Sequence, residues 1–203
     1  MDVVHRNLVG HAALGGMGGR VRLAATVPID EARRQIETNL FGPARLIQLV
    51  LPTMRAQRSG RIVNISSIGG KFAVPLGGWY HASKFALEAY SDSLRNEVRP
   101  FGIDVVVIEP GGIASEWTGI AADAATRYSG AEPYAGMVAS FRKMQDRKAP
   151  PPSVVSDMVV KALDARRPAT RYSGGLIARP MLFLRRCLSD RMFDRLVMLG
   201  FRG

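Results

Sequence analysis

The sequence predicts an α/β fold in which helices alternate with the strands of a parallel sheet, and three observations carry that reading. Helical and β-branched segments follow one another in the order helix, strand, helix, strand. Each run is short and rich in β-branched residues, as in a buried strand. The first run ends in two hydroxyls and the second in a glycine-rich loop, at the carboxyl ends where open parallel sheets place ligand sites.

From about Ile29 to Arg58, the residues Ile36, Leu40, Ala44, Ile47, Leu51 and Met54 repeat on one helical face, and Ser59-Gly60 ends the pattern. Arg61-Ile62-Val63-Asn64-Ile65-Ser66-Ser67 then reads as a buried strand. Gly69, Gly70, Pro75, Gly77 and Gly78 make a loop, and a helix runs from Tyr80 to Arg99, stopped by Pro100 and Gly102. The second strand, Ile103 to Ile108, enters the loop Glu109-Pro110-Gly111-Gly112-Ile113, whose glycines let backbone amides approach a ligand. Residues 114–152 hold mixed helical fragments with Trp117, Tyr128, Tyr134 and the triple Pro150-Pro151-Pro152. Ser153 is placed to cap a helix through about Ala165 with Val155, Met158, Val159 and Ala162 inward, and residues 170–173 fit a last short strand.

Tyr80 and Lys84 stand four apart on the second helix and share one face. A phenol exchanges protons poorly at neutral pH, and a fixed cation beside it favours phenolate and lowers its pKa toward the working range. An isolated Tyr-x-x-x-Lys is more simply a half-buried Tyr beside a solvated Lys. Here Ser67 precedes Tyr80 by 13 residues across the glycine loop, which brings a strand-end hydroxyl toward the same helix start.

From about Val27 to about Trp117 the chain resembles the short-chain dehydrogenase/reductase family. Asn39-Leu40-Phe41-Gly42 resembles its helix asparagine motif and Asn64-Ile65-Ser66-Ser67 its serine strand. Tyr80 to Lys84 resembles its Tyr-x-x-x-Lys, and Pro110-Gly111-Gly112-Ile113-Ala114-Ser115 its Pro-Gly loop. Ala82-Ser83-Lys84-Phe85-Ala86-Leu87-Glu88 with Ile108-Glu109-Pro110-Gly111 is similar to the branch acting on hydroxysteroids, retinol and related lipophilic alcohols.

The resemblance implies a Rossmann-type doubly wound parallel sheet, NAD or NADP as cofactor, and oxidoreduction of an alcohol or carbonyl, lipophilic in kind. It makes Tyr80 the general acid/base, Ser67 the hydrogen-bond partner of the substrate oxygen, and Lys84 the residue that tunes Tyr80 and holds the nicotinamide ribose. Ser66 is the other candidate serine, and the 13-residue spacing favours Ser67. Asn39 would anchor a water of the proton relay, and Pro110, Gly111, Ile113 and Ser115 would complete the cofactor's surroundings. Ile113 would offer its amide to the carboxamide, and Ser115 stands where the family usually has Thr. Simpler roles exist for two of these: Ser67 as a strand-end hydroxyl serving the backbone, and Asn39 as a polar residue that disfavours mid-helix packing. No metal site is expected. The two long helices would pair with their copies in a homodimer, or pack only on their own sheet.

The front departs from this pattern. The family opens with a strand, a Thr-Gly-x-x-x-Gly-x-Gly turn and a helix whose amino end receives the pyrophosphate. Gly15-Gly16-Met17-Gly18-Gly19 lacks the flanking strand, helix and acidic residue of such a fingerprint. Asp2-Val3-Val4 is read as the end of the fourth strand, without the Asn-Asn-Ala-Gly that follows it in the family, and His5 to Ala25 matches the family nowhere. The expectation is an N-terminally truncated fold: an atypical segment 1–26, as from an altered reading frame or an insert, a catalytic core half 27–180, and a basic amphipathic helix 181–203. From a different class comes the alternative of a non-catalytic remnant, acting as a dimerising or lipid-associated scaffold.

At 203 residues and 47% hydrophobic the chain can hold one domain with its own core. A single cysteine, Cys187, excludes an internal disulfide. No apolar run reaches the ~18 residues of a membrane span, and the first residues lack a signal-peptide core, so a cytoplasmic address is expected. The net charge of +11 is uneven: residues 141–203 carry 14 Lys and Arg against 5 Asp and Glu. No nucleic-acid-binding motif accompanies that charge, so nucleic acid is not expected as a partner. The segment from Met181 to Leu199 alternates apolar residues with arginines, which suits a peripheral membrane contact, the closing of a greasy pocket, or docking on its own domain.

Overall fold

The computed structural model describes residues 8–10, 27–114, 134–145 and 148–201. Ser115, Trp117, Tyr128 and the glycine run 15–19 lie outside them.

The first described strand, β1 (Leu8–Gly10), precedes a helical run made of α1 (Ile29–Ile36), a π turn (Glu37–Phe41) and α2 (Gly42–Gln57). Then come β2 (Gly60–Ile65), α3 (Gly78–Val98) and β3 (Ile103–Pro110). Helices α4 (Ala135–Gln145) and α5 (Ser153–Asp164) lead to β4 (Arg171–Gly174), and α6 (Ala178–Cys187) and α7 (Asp190–Leu199) follow. The four strands lie in the order β1-β2-β3-β4, all parallel.

Side-chain alternation on the central strands explains why both faces are covered. Ile62 of β2 and Ile103 and Val105 of β3 pack with Ile47, Leu51 and Met54 of α2 and Leu94 and Val98 of α3. Their neighbours Val63, Val106 and Ile108 point the other way, onto Ala162 of α5 with Val155, Met158 and Val159 alongside. This helix, sheet, helix sandwich is the doubly wound α/β architecture expected.

Four expectations need correction. Leu8 pairs with Arg61 and Gly10 with Val63, so the strand at 60–65 has a parallel neighbour on its outer side. The strand beside β2 is Leu8–Gly10, whose three-residue length hid it from pattern reading, while Asp2-Val3-Val4 lie outside the described residues. Asn39 sits in a π turn, not in an unbroken α-helix. Ser153 is the first residue of α5 rather than its cap, and no side chain caps that helix. The terminal segment is two helices, because extended backbone at Leu188 and Ser189 breaks it.

α6 and α7 dock by their inner faces. Ala178 and Phe193 pack on Ile68 and Phe72, with Met181, Leu182, Leu184 and Leu188 around them, while Val197 and Phe201 join a cluster of Leu76, Val138 and Phe141. The C-terminal helices thus cover the loop between Ser67 and Tyr80. Among the described residues no helix is long and apolar enough to cross a membrane.

Candidate active site

The site assembles at the carboxyl ends of β2 and β3, where the chain leaves the sheet. Ser67 follows β2 in extended conformation, and its hydroxyl accepts the Gly69 amide at 3.0 Å while donating to the Pro110 carbonyl at 3.3 Å. One hydroxyl therefore ties the loop after β2 to the loop after β3. The same hydroxyl hydrogen-bonds the Tyr80 phenol. Serving the backbone and facing the phenol are both true of Ser67. Ser66 is buried with its hydroxyl unpaired, so only Ser67 meets Tyr80.

Tyr80 lies in the first turn of α3. Burial pushes its phenol pKa up, and the Ser67 hydrogen bond offsets this in part. The lowering expected from Lys84 is not what the chain by itself produces. The Lys84 ammonium sits 5.9 Å from the Tyr80 ring centroid and donates to the Ile65 carbonyl at 3.0 Å. It is desolvated too, which lowers its pKa to about 8 against the opposing charge of Glu88 one turn on. For Tyr80 the loss of water around the phenolate is the largest effect and outweighs what its neighbours return.

Asn39 reaches the same helix start from the π turn. Its Nδ2 donates to the Ser83 hydroxyl at 2.9 Å, and that hydroxyl donates to the Tyr80 carbonyl at 2.7 Å. π turns add a residue to a helical turn and re-aim its side chains, and they recur at functional sites. Gly111 is needed for close approach: a Cβ there would stand 2.7 Å from the Leu176 carbonyl. Its amide donates to Gly174, and Leu176 donates to Gly112, so the Pro-Gly loop is pinned to the chain after β4. Ile113 follows, half-buried, at the mouth of this loop.

Three contributors escaped the sequence reading. His81 is buried next to Tyr80. Its Nδ1 faces the Gly69 carbonyl at 2.9 Å and its Nε2 accepts the Val74 amide at 3.2 Å, so the neutral ring staples both ends of the loop. Burial lowers its pKa, opposed by the Gly69 bond. Any Cβ on Gly69 or Gly77 would fall within 2.8 Å of this ring, which is why both are glycine. Ser83 could have been found as the hydroxyl one turn after Tyr80. The third is a buried ionic cluster beneath Lys84. Lys71 contacts Glu88 at 2.8 Å and Glu109 at 3.8 Å, and Arg171 of β4 contacts Glu88 at 3.0 Å, Asp92 at 2.7 Å and Glu109 at 3.1 Å. Ser173 donates to the second Glu109 oxygen at 2.7 Å. The Arg171 to Glu109 contact is an ion pair without an aligned N–H, since that carboxylate oxygen has no hydrogen bond.

A nicotinamide ribose fits this donor set. Lys84 is buried yet spends only one hydrogen bond on a described acceptor, which leaves ammonium donors for a diol beside the Tyr80 phenol. Lys84 and Tyr80 would hold the ribose and the Pro110 to Ile113 loop the carboxamide.

Comparisons with known proteins identify the family. The family model for short chain dehydrogenase matches residues 7–125. It includes β1 and so corrects the expectation that His5 to Ala25 matches the family nowhere. A 3-ketodihydrosphingosine reductase of Bacteroides thetaiotaomicron is 44% identical over 118 residues, covering 58% of this chain and 41% of the relative. Retinol dehydrogenase 5 of Homo sapiens is 33% identical over 198 residues, covering 88% and 60% respectively. Among solved structures, a short-chain dehydrogenase of Streptomyces avermitilis superimposes with a TM-score of 0.70 at 29% identity, over 88% of this chain and 64% of that one. The chain spans less than two thirds of the length of each of the three.

Proposed function

The chain belongs to the short-chain dehydrogenase family, and from that premise we propose that its site serves NAD(P)-dependent oxidoreduction of a lipophilic alcohol or carbonyl compound. The observation that carries the reading is the Ser67 hydroxyl bonded to the Tyr80 phenol with the buried Lys84 ammonium alongside. The bound cofactor would supply the hydride chemistry. Tyr80 passes a proton at its phenol oxygen, and its burial keeps that oxygen protonated, as a donor to a carbonyl must be. Ser67 turns its hydroxyl to the substrate oxygen. Asn39 and Ser83 fix the Tyr80 backbone, and His81 holds the loop that Phe72 and Phe193 shield from water. That apolar cover suits a greasy substrate, as do the names of the two relatives.

Cofactor fluorescence titration of the purified chain with NADH and NADPH tests the reading. Saturable binding is expected, weakened at least about tenfold by Lys84→Met, which removes a charged hydrogen-bond donor. Equal binding by both proteins would remove Lys84 from the cofactor site, and no saturable binding by the chain would sink the nucleotide requirement.

A homodimer is the partner proposed for the outer faces of α2 and α3. Leu46 and Leu49 of α2 and Phe85 of α3 are exposed there, with Phe41 at the end of the π turn beside them in sequence, and Leu49 reaches 75%. Such a stripe is what a twofold helical interface covers. Light scattering should show a dimer that Leu49→Glu converts to monomer; a monomer at every concentration in the parent chain would rule the interface out.

A further inference from the structure

We propose that the outer faces of α6 and α7 form a docking surface for an anionic lipid bilayer. Docking of these helices on the domain leaves each with a second, outward stripe that mixes bare apolar side chains with unpaired cations. On α6, Arg179, Phe183 and Arg186 recur at helical spacing on the exposed side, with Phe183 66% exposed. On α7, Arg191 and Met192, Arg195, then Met198 and Leu199 do the same, with Met192 and Leu199 53% and 59% exposed.

Charge selects the occupant. Among the described residues, Arg179, Arg186, Arg191 and Arg195 make no ion pair, whereas Arg185 is taken by Asp190 at 2.8 Å. Four unpaired guanidinium groups, against one exposed carboxylate at Asp194, leave the face net positive, and interleaved with large apolar side chains they suit a surface that offers hydrocarbon and negative charge together. A second copy of the same stripe would set arginine against arginine. Lys161 and Arg179 also line an open surface depression with Arg171, Tyr172 and Ser173. It opens beside α6 and gives a phosphate headgroup cationic partners. Membrane contact here needs no spanning helix and no movement of α6 or α7, because their inner residues stay packed on Ile68 and Phe72. The inference rests on surface chemistry alone and stands whether or not the proposed reaction does.

Co-sedimentation of the full chain with phosphatidylcholine vesicles, and with mixed phosphatidylcholine and phosphatidylglycerol vesicles, tests it. Binding is expected to the mixed vesicles, at least about tenfold weaker to the neutral ones, and falling as salt screens the arginines. The double variant Arg186→Gln, Arg191→Gln should lose about 30-fold in partition to the mixed vesicles. Phe183→Asp with Met192→Asp should lose binding while keeping the thermal unfolding of the parent, since both side chains are exposed. Absence of binding to the mixed vesicles would overturn the proposal, as would equal binding to both vesicle types at all salt concentrations. Self-association abolished by the same aspartates, without vesicle binding, would also overturn it and assign the face to a second copy.

Discussion

Tyr80→Phe is expected to lower turnover by about 10²- to 10⁴-fold, the contribution of a positioned general acid or base. The substitution keeps the aromatic ring and removes one oxygen, so the packing of the first turn of α3 is retained. The structural cost is the hydrogen bond with Ser67, about 1 kcal/mol, and Ser67 keeps its bonds to Gly69 and Pro110. The loss should therefore appear mainly in kcat, with affinity for cofactor reduced by no more than the one ribose hydrogen bond, about tenfold. Assay of purified parent and variant with a lipophilic ketone and reduced cofactor decides it. A variant that turns over at the parent rate would exclude Tyr80 from the chemistry, whatever the family resemblance says.

Arg171→Leu should produce the largest loss of stability. Arg171 bonds Glu88 and Asp92 and stands against Glu109, and the two glutamates are only 3% and 2% exposed. Removing one partner strands buried carboxylates, a loss of about 3 to 5 kcal/mol, and Lys71 alone cannot neutralise both. The pH dependence follows from Glu109. Burial raises its folded pKa, offset by the Ser173 bond and raised further by Glu88. A carboxyl whose folded pKa exceeds the unfolded one, about 4.3, binds protons more tightly when folded. Its protonated form therefore supports the fold at low pH, and that support fades as pH rises through the folded pKa. With Arg171 gone the raise grows, so the deficit should be full near neutrality and shrink on acidification. Urea unfolding of both proteins at about pH 7 and about pH 5 measures it; a deficit that widens on acidification would show that the carboxylates are not its source.

The two β-branched runs and the apolar stripe of α2 were readable because each depends on neighbours in sequence: continuous burial for a strand, a 3.6-residue period for a helix. β1 was not, since three residues carry too little pattern and its pairing with Arg61 to Val63 is made across the sheet. The same holds for the break at Leu188 and Ser189. Arginine-rich apolar sequence runs through it without a glycine or proline, and only the need to pack both Ala178 and Phe193 on Ile68 and Phe72 bends the chain there.

By itself the sequence determined the α/β class and singled out the candidate site residues Asn39, Tyr80, Lys84 and one of the serine pair Ser66-Ser67, with spacing in favour of Ser67, because helix and strand periodicity and motif spacing are local properties. Only the tertiary structure decided that Ser67 and not Ser66 faces Tyr80, that burial raises the Tyr80 phenol instead of Lys84 lowering it, and that Arg171 from β4 neutralises Glu88 and Glu109 beneath Lys84. Hydration and charge pairing depend on which groups the fold brings within a few ångströms, and those groups come from strands and helices far apart in the chain.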